Sequence, residues 1–221
     1  MADNLCVIVP VLDRPQNVKP LIQSFKDSGT PGSLWFIATA TDTAELDELK
    51  AQKANYLTTY MVTWPQKINW AVNVLSADWY LFGADDITFD RGWWEVTALL
   101  RSDDKIGVIG TNDMANPRVM AGEHSTHSLV RAAYIDEHGT VDADEAVCSW
   151  YHHWFVDDEL LWTAQHRGAW AHCADAVVRH RHPYFDTSVE MDETYKRGEA
   201  NKEADQALFA SRAHLFGVQV Q

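Results

Sequence analysis

Residues 80–95, YLFGADDITFDRGWWE, end an apolar run on two adjacent carboxylates, Asp85 and Asp86, and then return at once to Phe, Trp and Trp. Neighbouring like charges repel, so such a pair is expected either well solvated at a turn or held beside a cation. Asp13-Arg14 follows the apolar run LCVIVPV, and Asp42 follows LWFIATAT. A second acidic pair, Asp157-Asp158, opens VDDELLWTAQHRG, where an Asp is also a favoured helix cap. Late in the chain His180 and His182 flank Arg181, an alternation that puts both imidazoles on one side of a strand. Carboxylates and imidazoles in this number suit a divalent cation, with oxygen donors favouring Mg²⁺ or Mn²⁺ and an added imidazole favouring Mn²⁺.

The elements around these residues follow a rhythm. Strand-like runs at 5–11, 34–41, 56–62, 79–83 and 105–110 alternate with helix-like stretches at 17–29, 42–54 and 65–77, and 91–101 continues the alternation. Strands separated by helices at this spacing predict an α/β layer structure with a mostly parallel sheet. In such sheets ligands bind at the carboxyl ends of the strands, which is where Asp13-Arg14, Asp42 and Asp85-Asp86 fall. That convergence weighs against a merely solvated turn. Beyond Gly110 the pattern predicts a loop at 111–126, a strand at 127–135, a turn at 137–142, a helix at 156–168 closed by Gly168, and a strand at 169–180. The Glu-, Lys- and Ala-rich tail at 189–215 reads as a helical arm.

Bulk composition narrows the function classes. A chain of 221 residues, 46% hydrophobic with ten Trp, has enough apolar material for a real core. No apolar stretch is long enough for a membrane span, and MADNLCVIVPVLDRP lacks the basic start of a signal peptide, so cytoplasmic residence is expected. Cys6, Cys148 and Cys173 are widely spaced and form no CxxC pair, which favours reduced thiols over a disulfide framework or zinc cluster. A net charge of −14 argues against broad adhesion to nucleic acid or anionic lipid.

In their order and spacing, VIVPVLDRP, Asp42, KINWAVN and LFGADDITFDRGWW resemble the nucleotide-sugar half of GT-A glycosyltransferases, most closely glycosyltransferase family 2 in a compact bacteriophage-type form. FVDDELLWTAQHRG and VVRHRHP are similar to that family's acidic acceptor motif and late metal-binding histidine. The resemblance implies a GT-A domain over 1–183, with a Rossmann-like nucleotide-sugar half at 1–110, helices on both faces of its sheet, an acceptor half at 111–183 and a C-terminal helical arm at 184–221. It implies a metal-dependent, inverting transfer of a sugar from a nucleotide donor, a UDP-sugar, to a hydroxyl.

Site residues follow from the same resemblance. The Asp-x-Asp metal motif falls on Ala84, Asp85 and Asp86, so its first Asp is missing. Asp86 is the implied metal ligand, Asp85 a contact to metal-bound water or the ribose, and His180 or His182 a further ligand, with the choice between them open. Pro10, Asp13, Arg14 and Asp42 are implied at the nucleotide base, where a carboxylate can accept an imide N–H. The buried face of KINWAVNVL, set by Ile68, Ala71, Val72 and Leu75, leaves Lys67 free for a phosphate. Asp157 aligns with the family's catalytic base, with Asp158 beside it, and Trp93, Trp94 and Trp154 are acceptor-side aromatics. His124 and His127 sit one helical turn apart but in a loop-and-strand segment, which speaks against a zinc site. The compact form suggests a hydroxymethylated pyrimidine in phage DNA or a virion protein as acceptor. The carboxylate and histidine set also fits a metal-dependent phosphoester hydrolase, and the missing Asp fits a silent nucleotide-sugar-binding module.

Overall fold

The computed structural model describes residues 3–141 and 144–217. Seven successive apolar residues make β1 (Leu5–Val11) a strand buried on both faces, the pattern of a central parallel strand. Pro15 opens α1 (Pro15–Ser28), whose fixed φ suits the first helical turn, and Gly29 closes it in the left-handed region at φ 72°. There follow β2 (Ser33–Thr39), α2 (Thr43–Ala51), β3 (Asn55–Thr59), α3 (Trp64–Val74), β4 (Trp79–Phe82) and β5 (Ile87–Phe89). The second half holds α4 (Ala98–Arg101), β6 (Val108–Asn112), α5 (Pro117–Met120), β7 (Ser128–Arg131), α6 (Ala132–His138), α7 (Val156–His166), β8 (Trp170–His180), α8 (Glu193–Ala200) and α9 (Lys202–Arg212).

Among the described residues the strands form one eight-stranded sheet in the order β3-β2-β1-β4-β7-β6-β8-β5. β3, β2, β1 and β4 run parallel. β7 then pairs antiparallel with both β4 and β6, β8 runs parallel to β6, and β5 pairs antiparallel with β8. Because successive side chains of a strand point to opposite faces, β1 feeds two cores. Leu5, Val7, Val9 and Val11 pack with α1 and α2 through Val18, Leu21, Phe25 and Leu49. Cys6 and Ile8 pack with α3, α7 and α9 through Ile68, Val156 and Phe209. No helix of the described residues is long and apolar enough to cross a membrane.

Three sequence readings change. The run 127–135 is a strand only to Arg131 and turns helical at Ala132, since a short apolar run fits either period. The strand expected over 56–62 ends at Thr59 and leaves Tyr60 and Val62 exposed. Ile87–Phe89 forms a strand, β5, on the far sheet edge, which folds the segment after Asp85-Asp86 back beside β8. The segment after Pro183 contains α8 and α9, and its last residues, 218–221, lie outside the described residues, as does Asp142 of the expected turn.

Candidate active site

A cavity of about 660 Å³, within the range of small-ligand sites, opens at the carboxyl ends of β1, β2 and β4. Pro10, Asp13, Arg14, Asp42, Lys67, Asp85, Asp86, Trp154, Asp157, His180 and His182 all line it. The strand ends therefore bring together most of the residues singled out in the sequence.

The cation beside Asp85-Asp86 is Arg14. Its Nη1 lies 3.2 Å from Asp85 Oδ1 and 3.7 Å from Asp86 Oδ2. Nε and Nη2 donate to the two oxygens of Asp192, each at 2.8 Å, and the guanidinium lies 3.7 Å over the Tyr195 ring. Arg14 is thus committed to organising the site, and its bidentate fork matches a carboxylate. Asp42 caps α2 by accepting from Glu45 N–H at 3.1 Å, and its other oxygen accepts from Asp13 N–H at 2.7 Å. The cap and the donor-side position coexist, and Asp13 takes positive φ in the turn. Below this loop Glu45 is fully buried, and burial pushes its carboxyl up to about 7.

Lys67 differs from the expectation of a free lysine. It is 1% exposed, its Nζ donates to Val11 O at 2.7 Å, and burial lowers it to about 8. α3 carries it on the side facing β1, where the long apolar stem packs and the amine ties the helix to the strand end. Trp93 and Trp94 also depart from expectation. Both are buried, with Trp93 against Phe89, and neither lines the cavity. They are core residues, as two large aromatics between two short elements have more to gain from burial than from a wet wall.

Asp86 is buried next to two imidazoles. His180 Nε2 stands 3.4 Å from Asp86 Oδ1, in ion-pair range but outside hydrogen-bond geometry, so Oδ1 has no hydrogen-bond partner. Tyr195 OH donates to Oδ2 at 2.7 Å. Although burial opposes its charge, the His180 imidazole and the Tyr195 hydroxyl hold the Asp86 carboxyl far below the usual carboxylate range, while burial and Asp86 push Asp85 up. His127 completes the cluster, and donor atoms of Asp86, His127 and His180 lie within 4.8 Å of one another. His182 is outside this group. It packs edge-on to Tyr184 and Tyr195, and burial and His180 hold it down to about 4. Of the two late histidines, His180 places a donor atom in this cluster and His182 does not. A divalent cation fits here: Asp86 Oδ1 and His127 Nε2 are buried polar atoms without hydrogen-bond partners, and the set offers one oxygen and two nitrogens.

On another wall, α7 begins after Phe155, which takes φ 65° and is the residue before the first helical turn. Asp157 therefore sits inside that turn rather than at the cap position, and its Oδ1 accepts from Asp158 N–H at 3.0 Å. Its Oδ2 lies 3.2 Å from His124 Nε2. Burial opposes its charge, but His124 holds the carboxyl below its ordinary value. Asp158 does not line the cavity. It meets Arg118 Nη2 at 3.2 Å, and burial with the Asp157 charge raises it. His124, Asp157 and Asp158 could also hold a cation by donor spacing, but the Arg118 guanidinium already occupies the Asp158 side.

Sequence reasoning missed His124, His127, Asp192 and Tyr195 as site residues. The fold places His124 in a loop and His127 just before β7, the loop-and-strand setting expected from the sequence. Their partners Asp157 and Asp86, however, come from other segments. Asp192 carries a local signal, being the cap of α8 with bonds from Thr194 N–H and Tyr195 N–H at 3.0 Å. Nothing local links Tyr195 to Asp86, 109 residues away.

The sequence matches no protein-family model and no curated protein. Solved structures do match. Glucosyl-3-phosphoglycerate synthase from Mycobacterium tuberculosis, in complex with Mn²⁺, UDP and phosphoglyceric acid, aligns over 100% of this chain and 81% of its own, at 13% identity and a TM-score of 0.64. A mannosyltransferase from Pyrobaculum calidifontis, in complex with GDP-Man and Mn²⁺, aligns over 100% of this chain and 66% of its own, at 11% identity and a TM-score of 0.73. The chain shares the α/β fold of these GT-A type glycosyltransferases.

Proposed function

We propose that this chain is a metal-dependent, inverting glycosyltransferase that moves a sugar from a nucleotide-sugar donor, a UDP-sugar, to a hydroxyl acceptor. One observation carries the reading: a single cavity holds the strand-end residues Asp13, Arg14 and Asp42, the Asp86 cluster and Asp157 together. The Mn²⁺ and nucleotide complexes of the two structural neighbours support it.

Asp86 and His180 would hold the cation, which when bound neutralises charge developing on the leaving diphosphate. Asp13 and Asp42 frame the end of the cavity formed by β1 and β2, where the nucleoside is placed. Asp157 takes the proton of the acceptor hydroxyl, whose oxygen forms the bond to the anomeric carbon. The bond from that carbon to the diphosphate oxygen breaks, and the nucleoside diphosphate leaves with the electron pair. Displacement from the opposite side inverts the anomeric centre. Trp154 and Tyr184, tilted at 33° with ring centroids 5.9 Å apart, offer an aromatic acceptor wall. A hydroxymethylated pyrimidine of phage DNA and a virion protein are the two acceptors to be compared. The net charge of −14 disfavours a large DNA footprint, and a single flipped base avoids that demand.

The test is product analysis. Nucleotide sugars and Mn²⁺ are supplied with each acceptor, mass analysis reads the added sugar, and NMR reads its anomeric configuration. An inverted linkage is expected; retention would exclude the single displacement, and cleavage of phosphate esters without any acceptor would replace transfer by hydrolysis.

A further inference from the structure

The Asp-x-Asp pattern lacks its first carboxylate at Ala84, and the fold brings a histidine from another segment beside the remaining Asp86. His127 stands just before β7, the strand that pairs with β4 immediately upstream of Asp85-Asp86. It is 4% exposed, and its ring lies edge-on to His180 with centroids 4.9 Å apart. Nδ1 faces Phe82 O at 3.3 Å, so the carbonyl accepts a hydrogen bond from Nδ1–H in the tautomer that leaves a lone pair on Nε2. Nε2 has no hydrogen-bond partner although it is buried. A ring fixed through one nitrogen by a backbone carbonyl, with the other nitrogen unpartnered, is how proteins present histidine to a metal. The unpartnered Asp86 Oδ1 and a donor nitrogen of His180 lie within 4.8 Å of it.

We propose that His127 is a protein ligand of the divalent cation, joining Asp86 and His180 in a two-histidine, one-carboxylate set. This rests on the reading that Asp86 binds a cation. Its consequence is selectivity. Two imidazoles and one carboxylate favour Mn²⁺, Co²⁺ or Zn²⁺ over Mg²⁺, which prefers an all-oxygen shell.

Metal binding can be followed without turnover. Mn²⁺ is titrated into the protein in the absence of nucleotide, free ion is read by electron paramagnetic resonance, and pulsed measurements count the nitrogens bound directly to the ion. In the parent protein two nitrogens are expected, with binding that persists in excess Mg²⁺. His127→Ala is expected to leave one and to weaken Mn²⁺ at least about tenfold, the scale found even for outer partners of metal ligands. His182→Ala is expected to keep both. Tight Mn²⁺ binding by the parent through a single nitrogen, or unchanged affinity in His127→Ala, overturns the role of His127 and leaves that of Asp86 standing. No Mn²⁺ binding by the parent overturns both. The parent nitrogen count stands whether or not the buried substitution folds.

Discussion

Asp157 and Asp158 are chain neighbours that share His124, whose Nε2 lies 3.2 Å from Asp157 Oδ2 and whose Nδ1 lies 3.4 Å from Asp158 Oδ1. Only Asp157 lines the cavity, with His124 holding its carboxyl below the ordinary value, whereas Asp158 also meets Arg118. A general base contributes typically ~10²–10⁴-fold to rate, while a lost first-turn hydrogen bond costs about 1 kcal/mol of stability. Asn can still accept from Asp158 N–H but cannot take a proton, so Asp157→Asn separates these roles. The variant is expected to fold, to bind Mn²⁺ and nucleotide as the parent does, and to lose transfer by at least roughly a hundredfold. Assays of initial rate against binding would show this; near-normal turnover would remove Asp157 as the base. At this scale the sequence was informative wherever an acidic residue closes a strand, because strand ends converge in a parallel sheet. It misled at Trp93-Trp94, where side-chain type suggests a wet role and packing dictates a dry one. Nor did it show that the Lys67 amine, although Lys67 lines the cavity, is tied to Val11 O.

At the scale of elements, the strand order was not legible but a mostly parallel sheet was, because β1, β2 and β4 read as nearly continuous apolar runs. The mixed half was less so, since β7 and α6 share one apolar run and β5 has only three residues. α8 and α9 were visible as helix-forming composition, but their docking was not. α9 is fixed by buried Asp205, which accepts from the N–H groups of His152, His153 and Trp154, and by Arg212, which donates to Glu159 at 2.6 Å. α8 meets the site through Asp192 on Arg14 and Tyr195 on Asp86. Asp192 both caps α8 and accepts the Arg14 fork, so two substitutions divide the roles. Asp192→Ala is expected to lower stability by about 1 kcal/mol in chemical denaturation, and Asp192→Asn, which keeps a capping oxygen, to recover most of that. Equal losses would place the stabilisation in the partly exposed Arg14 pair instead.

Across the whole molecule, one sheet joins two halves of different topology, and the cavity lies where the parallel half meets the mixed half. The opening puzzle of Asp85-Asp86 resolves at this scale. Arg14 from the end of β1, His127 from the approach to β7, His180 from the end of β8 and Tyr195 from α8 surround the pair, so its charge is held rather than solvated. Strand-end logic reveals the first of these partners; the others come from segments far away in sequence. Calorimetric titration of UDP and GDP into the protein, with Mn²⁺ and again after chelation, tests the central claim most directly. The expected result is nucleotide binding that requires Mn²⁺, since the buried carboxylate alone would repel a diphosphate, and that disappears in Asp86→Ala, which loses the cation's ligand. Equal affinity with and without Mn²⁺, or undiminished binding by Asp86→Ala, would contradict it.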